Sequence, residues 1–456
     1  MKPGASGEML GALQATFLAL EEEGLLMHLG VLLVFAGEPD AAPILSALWA
    51  RLPAIPRFRR RLCRAPLLGQ PAFVDDPAID RAAHLRVAHV PPPGDEAALQ
   101  ATVADLYAER LPRDRPLWQV TFLDGLSAAI GEGDPRAAGR PGRFALFFKI
   151  HHAMLNGAEG LAALDLLLQP SPDAIAEALA WPAPRPPPRA AALLGMELAR
   201  RIEGARALAA WVTRPAALAR GFLDMIDTAI HPASPTPLNP PRLGPRRAVT
   251  WTSVPLAAVR ARRDGGTVND VLLAALAGGM RGYLAEKGLD VDHLRARAAV
   301  PVAVRRADGS AEVAALIAPF PIAPRTPEAR LRAAVDTMVA LKRSRQVDAM
   351  DLAERLADLT SHRLLARGLL AASRRRPCTV TTSNLAGPKE ARYLGGARLL
   401  GIHPLLTLTD TQGLGASFVS CDGVVTCSLI ADAAAVPDLS TLRDAITEAF
   451  AALPAG

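Results

Sequence analysis

The 456-residue sequence holds only four cysteines, Cys63, Cys378, Cys421 and Cys427, whose spacing forms neither a metal-ligand set nor a disulfide framework. That scarcity points to a reducing compartment and excludes a stapled secreted scaffold. Lysine is nearly absent: of 51 cationic side chains only Lys2, Lys149, Lys287, Lys342 and Lys389 are lysines. The excess of Arg, Ala and Pro is the bias of a GC-rich genome, so the net charge of +6 is no argument for nucleic acid. A modest positive charge suits anionic partners such as phosphates or acidic headgroups, or serves only solubility. No apolar run reaches the ~18–20 residues that span a bilayer. Met1-Lys-Pro-Gly-Ala-Ser-Gly is not followed by a signal-peptide core. The expectation is a cytoplasmic chain, soluble or peripheral to a membrane. No Gly-x-Ser-x-Gly elbow is present, which leaves a serine acyl-enzyme without a candidate.

Half the residues are hydrophobic, with charges well mixed, and the length exceeds one ordinary core. The pattern predicts an N-terminal α/β domain over 1–180, a Pro-rich and helical connector over 181–245, and a second α/β domain over 246–456. In the first domain, Met27–Gly37 reads as a buried strand, and the segments from Ile44 and from Ala98 as amphipathic helices. A strand from Pro116 and the run Phe144–His151 make a hairpin with a long mobile tip at 131–142. In the connector, Leu194, Leu198, Ile202, Leu208 and Val212 share one helical stripe, which Arg201 interrupts. Such a helix lies on a membrane surface or, more commonly, docks on its own protein. In the second domain, Asp422-Gly423 between two strand-like runs marks a two-residue hairpin. Two α/β halves joined by a crossover would place a substrate channel at their interface.

The candidate chemistry centres on Phe144-Ala-Leu-Phe-Phe-Lys-Ile-His151-His152-Ala-Met-Leu-Asn156-Gly157, a strand that delivers two histidines to a tip before a helix. An imidazole titrates near pH 6.5, so a neutral base is abundant at pH 7. His152 in this position suits removal of a proton from a bound hydroxyl; His151 would orient it, line a channel, or serve structure alone. His84 and His89 lie five apart in an apparent strand, on opposite faces, with no third ligand nearby, so no metal site is expected. Thr267 and Asp270 fit a helix capping box, which gives Asp270 a structural role, while Asn269 beside it is free to face substrate. Ser383-Asn384-Leu-Ala-Gly387-Pro388 reads as a loop after a strand, either holding an acyl carbonyl or oxyanion or making an ordinary Gly-Pro turn.

Taken in order, these strings resemble the bacterial bifunctional wax ester synthase/acyl-CoA:diacylglycerol acyltransferase family. They comprise Leu10–Leu18, the Met27-His28 strand, Phe58-Arg-Arg-Arg-Leu62, Asp75-Asp76-Pro77 and Arg115-Pro116-Leu117-Trp118. The His pair, Asn269-Asp270, Val300–Arg305, Ser383–Pro388, Leu429–Asp432 and Pro437-Asp438-Leu439 complete them. The resemblance implies a chloramphenicol acetyltransferase-like fold of two mixed-sheet α/β (α+β) domains. It implies His152 as general base in direct transfer from a long-chain acyl-CoA to diacylglycerol or a fatty alcohol. It further implies no resident cofactor or metal, no nucleic acid, and work at the inner membrane face or on lipid inclusions. Trp118, Gly157, Asn269, Ser383, Asn384 and Gly387 are then the expected substrate contacts, with Arg305 and Asp270 as structural support.

The sequence departs from the family signature His-His-x-x-x-Asp-Gly at Asn156. In related enzymes that aspartate pairs with an arginine to shape the histidine loop. If Arg305 were that arginine and buried, losing its counter-ion would cost ~3–5 kcal/mol. Asn156→Asp is therefore expected to leave folding intact and to raise or preserve turnover. The strand around Ala311–Val313 also lacks an expected Gly-Asn pair, so acceptor contacts differ. Two other readings stay open: the same chemistry on a short, branched or secondary-metabolite alcohol, and a non-catalytic lipid- or acyl-CoA-binding paralogue.

Overall fold

A computed structural model describes residues 7–66, 69–131, 135–137, 139, 141–174, 178–212, 232–305, 311–343 and 359–455. The chain forms two compact units that alternate along the sequence. One comprises Met1–Leu208, Glu354–Ala366 and Gly387–Pro404; the other comprises Ala209–Ala353, Arg367–Ala386 and Leu405–Gly456. Two pieces of the stretch read as the second domain, 354–366 and 387–404, thus belong to the first unit.

The first unit begins with β1 (Gly7–Met9), α1 (Ala12–Glu22), β2 (His28–Ala36) and α2 (Ala41–Trp49). It continues through β3 (Arg60–Arg64), β4 (Pro71–Asp75), α3 (Arg81–His84), β5 (Leu85–His89) and α4 (Glu96–Ala108). Then come β6 (Trp118–Leu126), β7 (Arg143–His151), α5 (Gly157–Leu167) and α6 (Ala190–Val212). Strand β7 pairs antiparallel with β2 on one side and β6 on the other. Every residue of β7 except Ile150 is buried, which is what the continuous apolar run Phe144–Phe148 provides for a central strand. The polar exception inside it, Lys149, donates from Nζ to the Leu106 and Glu109 carbonyls at the end of α4, at 2.7 and 2.8 Å. It thereby satisfies orphan helix C-terminal acceptors, and burial pushes its pKa down to about 8. Part of the expected hairpin tip (132–134, 138 and 140) lies outside the described residues.

The second unit contains β8 (Arg247–Pro255), α7 (Leu256–Ala261), α8 (Val268–Glu286), β9 (Arg297–Arg305), β10 (Ala311–Pro319), α9 (Pro327–Arg343) and α10 (His362–Ser373), which starts in the first unit. Strand β11 (Val380–Ala386) follows. The chain then gives β12 (Tyr393–Leu394) and β13 (Ala397–Leu405) to the first unit's sheet and ends with β14 (Leu414–Cys421), β15 (Val424–Asp432) and α11 (Leu439–Ala451). The two large sheets are mixed and six-stranded, ordered β12-β13-β2-β7-β6-β5 and β10-β9-β11-β14-β15-β8; β1, β4 and β3 form a small third sheet. Asp422 and Gly423 turn the β14–β15 hairpin at φ 46° and 80°, the left-handed pair that a tight two-residue turn needs. The core of the second unit is α8, buried from Asp270 to Ala277, against which α11 packs closely. A Cβ on Gly279 would sit 2.4 Å from Ile446 Cγ1 and 2.6 Å from its Cα, so only glycine permits that approach.

Three local expectations need correction. The stretch around His84 is not one strand: Asp80 accepts from the Ala82 N–H and starts the turn α3, and the strand begins at Leu85. Ser383 and Asn384 lie within β11, in register with Ser417 and Phe418 of β14, not on the loop that follows. Two members of the apolar stripe of α6 do not face the protein. Leu198 and Ile202 are 58% and 43% exposed, whereas Glu197 on the inner face is fully buried. Arg201 donates to the Glu197 carboxylate at 2.7 Å and to the Leu359 carbonyl at 3.0 Å, so the residue that interrupts the stripe anchors the helix. Among the described residues no helix is long and apolar enough to cross a membrane.

Candidate active site

Backbone pairing carries the two histidines to the end of the first sheet. His151 N donates to the Leu117 carbonyl at 2.9 Å, and His152 N to the Met27 carbonyl at 2.8 Å. The antiparallel register sets His28 directly opposite His151. The side chains then part. His151 is fully buried, and its Nδ1 accepts from the Ala153 N–H at 3.0 Å, which leaves the proton on Nε2. That nitrogen faces the Glu21 carboxylate at 3.8 Å. Burial, with His28, Arg113 and His152 adding to it, holds the His151 pKa well below the usual range. His28 shares a 2.5 Å hydrogen bond between Nε2 and the Tyr107 carbonyl, and the Tyr107 hydroxyl returns one to the His28 carbonyl at 2.8 Å. Glu21 is itself buried, with Arg113 donating from Nε and Nη2 at 3.0 and 2.7 Å. The buried carboxylate is therefore matched by a guanidinium, and His151 stays neutral.

His152 is partly exposed and lies against the Phe17 ring, centroids 4.5 Å apart. Its Nδ1 makes no hydrogen bond of good geometry among the described residues. Burial lowers its pKa, opposed by its own backbone and the Glu159 carboxylate. The pair thus divides into a locked, neutral His151 and a neighbouring imidazole that solvent reaches and that is neutral at pH 7. Asn156 ends the loop: its Oδ1 accepts from Glu159 N, and Glu159 Oε2 accepts from Asn156 N, both at 2.9 Å. This reciprocal box starts α5 at Gly157.

The other expected site residues divide between the units. Trp118 is core rather than a substrate contact: it is fully buried, stacked on Phe58 and His84, and donates its indole N–H to the Phe58 carbonyl at 2.7 Å. His84 also meets the Trp118 carbonyl at 2.8 Å, whereas His89 is exposed beside Asp124. Gly387 follows β11 as the chain returns to the first unit. In the second unit, Asn384 Nδ2 donates to Asn269 Oδ1 at 3.0 Å, bringing two of the expected contacts together. Asp270 Oδ2 accepts from Thr267 N at 2.7 Å in the capping box. Arg305 ends β9, and its side chain lies outside the described residues. Glu21, Arg113, Tyr107 and Phe17 were not visible as site residues in the sequence. Glu21 opens a Glu-Glu-Glu run that reads as a solvated face, and Arg113 stands 92 residues away from it. Among the described residues no cluster of His, Cys, Asp or Glu could hold a metal ion.

Comparison with known proteins gives the family. Residues 10–272 match the wax ester synthase/diacylglycerol acyltransferase catalytic domain, and residues 311–454 match the C-terminal domain of the same family. The chain belongs to the wax ester synthase/diacylglycerol acyltransferase family. It is an acyl-CoA-dependent acyltransferase. A putative diacylglycerol O-acyltransferase of Mycobacterium tuberculosis is 30% identical, the alignment covering 95% of this chain and 88% of the relative. A second from that organism, a probable diacylglycerol O-acyltransferase, is 29% identical over 98% and 96% of the two chains. Among solved structures, the wax ester synthase/diacylglycerol acyltransferase of Marinobacter aquaeolei VT8 superposes with a TM-score of 0.70 at 24% identity, covering 98% of each chain. The starter condensation domain of rhizomide synthetase, solved with C8-CoA and Leu-SNAC, gives 0.57 at 15% identity, covering 99% of this chain and 96% of that one. The two-domain chloramphenicol acetyltransferase-like fold expected from the sequence is therefore the fold of this family member.

Proposed function

We propose that this enzyme transfers a long-chain acyl group from acyl-CoA to the hydroxyl of diacylglycerol or a long-chain alcohol, with His152 as general base. The observation that carries the reading is the contrast within the His pair: His151 is buried with its tautomer fixed by the Ala153 N–H, whereas His152 is partly exposed. The imidazole of His152 takes the hydroxyl proton as the alcohol oxygen bonds to the thioester carbonyl. The tetrahedral intermediate then breaks its C–S bond, and the departing CoA sulfur receives the proton from the imidazolium. His151 holds the strand end, and Asn156 and Gly157 set the loop and the helix start. Asn269, Ser383, Asn384 and Gly387 are proposed substrate contacts; Asn269 and Asn384 are partly exposed and bonded to each other. No metal or organic cofactor takes part in this scheme.

CoA release from palmitoyl-CoA, with hexadecanol or diolein as acceptor, tests it. A general base contributes ~10²–10⁴-fold, so His152→Ala should lose at least 10²-fold while remaining folded. Undiminished acceptor-dependent release by that variant would refute the role.

We also propose peripheral attachment to a membrane or lipid inclusion through α6. Its inner face is anchored by Glu197 and Arg201, which leaves Leu198 and Ile202 turned outward beside the exposed Arg206. Leu198→Gln with Ile202→Gln should weaken co-flotation with anionic vesicles without changing the melting temperature. Equal flotation of the variant would remove α6 from the account.

A further inference from the structure

The loop from His152 to Asn156 must hold the reacting imidazole, and its polar groups can be followed one by one. The first turn closes through Met154 N to the His151 carbonyl at 2.8 Å, and Ala153 N is taken by His151 Nδ1. The far end closes through the Asn156–Glu159 box. The Met154 carbonyl, between them, is bound from outside the loop: Arg57 Nη1 donates to it at 2.7 Å. Arg57 belongs to a 3-10 turn, Pro56–Arg59, 97 residues earlier in the chain. Its other terminal nitrogen donates to Glu8 Oε1 at 2.7 Å, and Nη1 also lies 3.8 Å from Glu159 Oε2. Glu8 in turn accepts from Arg60 at 2.6 Å, which ties the guanidinium to the small sheet.

We propose that Arg57 and Glu159 are a positioning pair for His152, in which Glu159 supplies the carboxylate that the neutral Asn156 cannot. The same oxygen, Glu159 Oε2, accepts from the Asn156 backbone and faces the arginine, so one atom joins the helix cap to the clamp on the loop. The planar guanidinium reaches a carbonyl and two carboxylates at once; a lysine would carry the charge without the fork. Glu159 is 46% exposed and its ion pair long, so Arg57 has the larger share of the effect. This inference rests on His152 being the base.

The test uses the full-length enzyme, measuring kcat and KM for palmitoyl-CoA at saturating acceptor, with melting temperatures alongside. Misplacing a reacting group by about 1 Å costs up to ~10²-fold. Arg57→Ala should lose ~30- to 100-fold in kcat with KM within about threefold, and Arg57→Lys should recover part of the loss. Glu159→Gln, which keeps an acceptor for the Asn156 N–H but removes a charge from the first turn of α5, should lose ~3- to 10-fold in kcat with a fall in melting temperature of no more than ~4 °C. The double variant should be no worse than Arg57→Ala, because both act through one loop. Full kcat in folded Glu159→Gln and Arg57→Lys, with His152→Ala inactive, would overturn the pair while leaving the base assignment intact. Activity retained in His152→Ala would overturn the base assignment instead, and the pair with it.

Discussion

Replacing Asn156 by aspartate restores the family signature, and the local geometry sets what that change does. The Asn156 Oδ1 already accepts from Glu159 N at 2.9 Å, and a carboxylate oxygen can take the same bond. A negative charge at a helix N-terminus gains ~0.3–1 kcal/mol. It also faces Glu159, three residues on, and a like-charge pair at that spacing costs ~0.2–0.5 kcal/mol. The guanidinium of Arg57, 3.8 Å from Glu159, offsets part of that repulsion. The sum runs from about −0.2 to about +0.8 kcal/mol, a change of at most ~3 °C in the melting temperature of a unit of this size. Asn156→Ala removes the cap instead, at a cost of ~1 kcal/mol and ~2–4 °C. Thermal unfolding by circular dichroism, with kcat for CoA release on the same preparations, reads both. The expected order is aspartate equal to or above the parent in turnover, and alanine below it in stability and turnover. An aspartate variant that loses tenfold in kcat, or more than ~1.5 kcal/mol, would refute the view that the carboxylate is compatible with this loop.

Other expectations follow from buried groups. If His152 is the base, its neutral ring is the active form, and because burial lowers its pKa the acid limb of kcat/KM should fall below ~6.5; a limb above that value counts against the assignment. His403 is fully enclosed and its pKa is pushed down to about 3, so below ~6.5 the unfolded chain binds a proton that the folded one refuses. Stability should therefore decline as pH falls from ~6.5 toward 3, by up to ~1.4 kcal/mol per unit for this one group, and urea titrations of His403→Gln should show a shallower decline. Gly279→Ala should cost ~1–3 kcal/mol through its collision with Ile446, and an unchanged melting temperature would contradict the close α8–α11 packing. Cys378 and Cys427 are buried with thiols pushed up to about 12, and Cys421 is buried too, so an aromatic disulfide reagent should label only Cys63 before unfolding.

The elements that the sequence showed well are those in which local pattern and tertiary need agree. Phe144–Phe148 is apolar throughout because β7 is paired on both edges and covered on both faces, and Asp422-Gly423 is a hairpin because only left-handed residues close it. Thr267 and Asp270 mark the start of α8 through a contact three residues long. The misreadings have a common cause in long-range context. Ser383 and Asn384 resemble loop residues in composition, but β9 and β14 flank β11 and claim its backbone. The stripe of α6 has the right period, yet period says only that a face exists and not which way it turns. A buried Glu197 with two arginine partners outweighs two leucine-sized side chains in fixing the helix, because an unpaired interior carboxylate costs far more than an exposed Leu198.

The candidate site shows the same division more sharply. Its proposed base could be named from the sequence because the histidine pair and the strand that carries it lie within fourteen residues. Much of its support was not, because three of the supporting contacts join residues about 80 to 100 positions apart: Glu21 to Arg113, His28 to Tyr107, Met154 to Arg57. None of these has a local signature, since a charged residue in a helix or a turn looks solvated until the fold closes over it. The substitution of Asn156 is the instructive case. Read alone, it removes a charge from the signature and suggests a loosened loop or a lost counter-ion. In the folded chain the loop is bounded by a complete capping box and bound from outside by an arginine that already has two carboxylates within reach. A departure from a family motif is therefore evidence of lost function only when the surrounding contacts fail to supply what the missing atom did, and here the contacts around Met154 and Asn156 are satisfied without it.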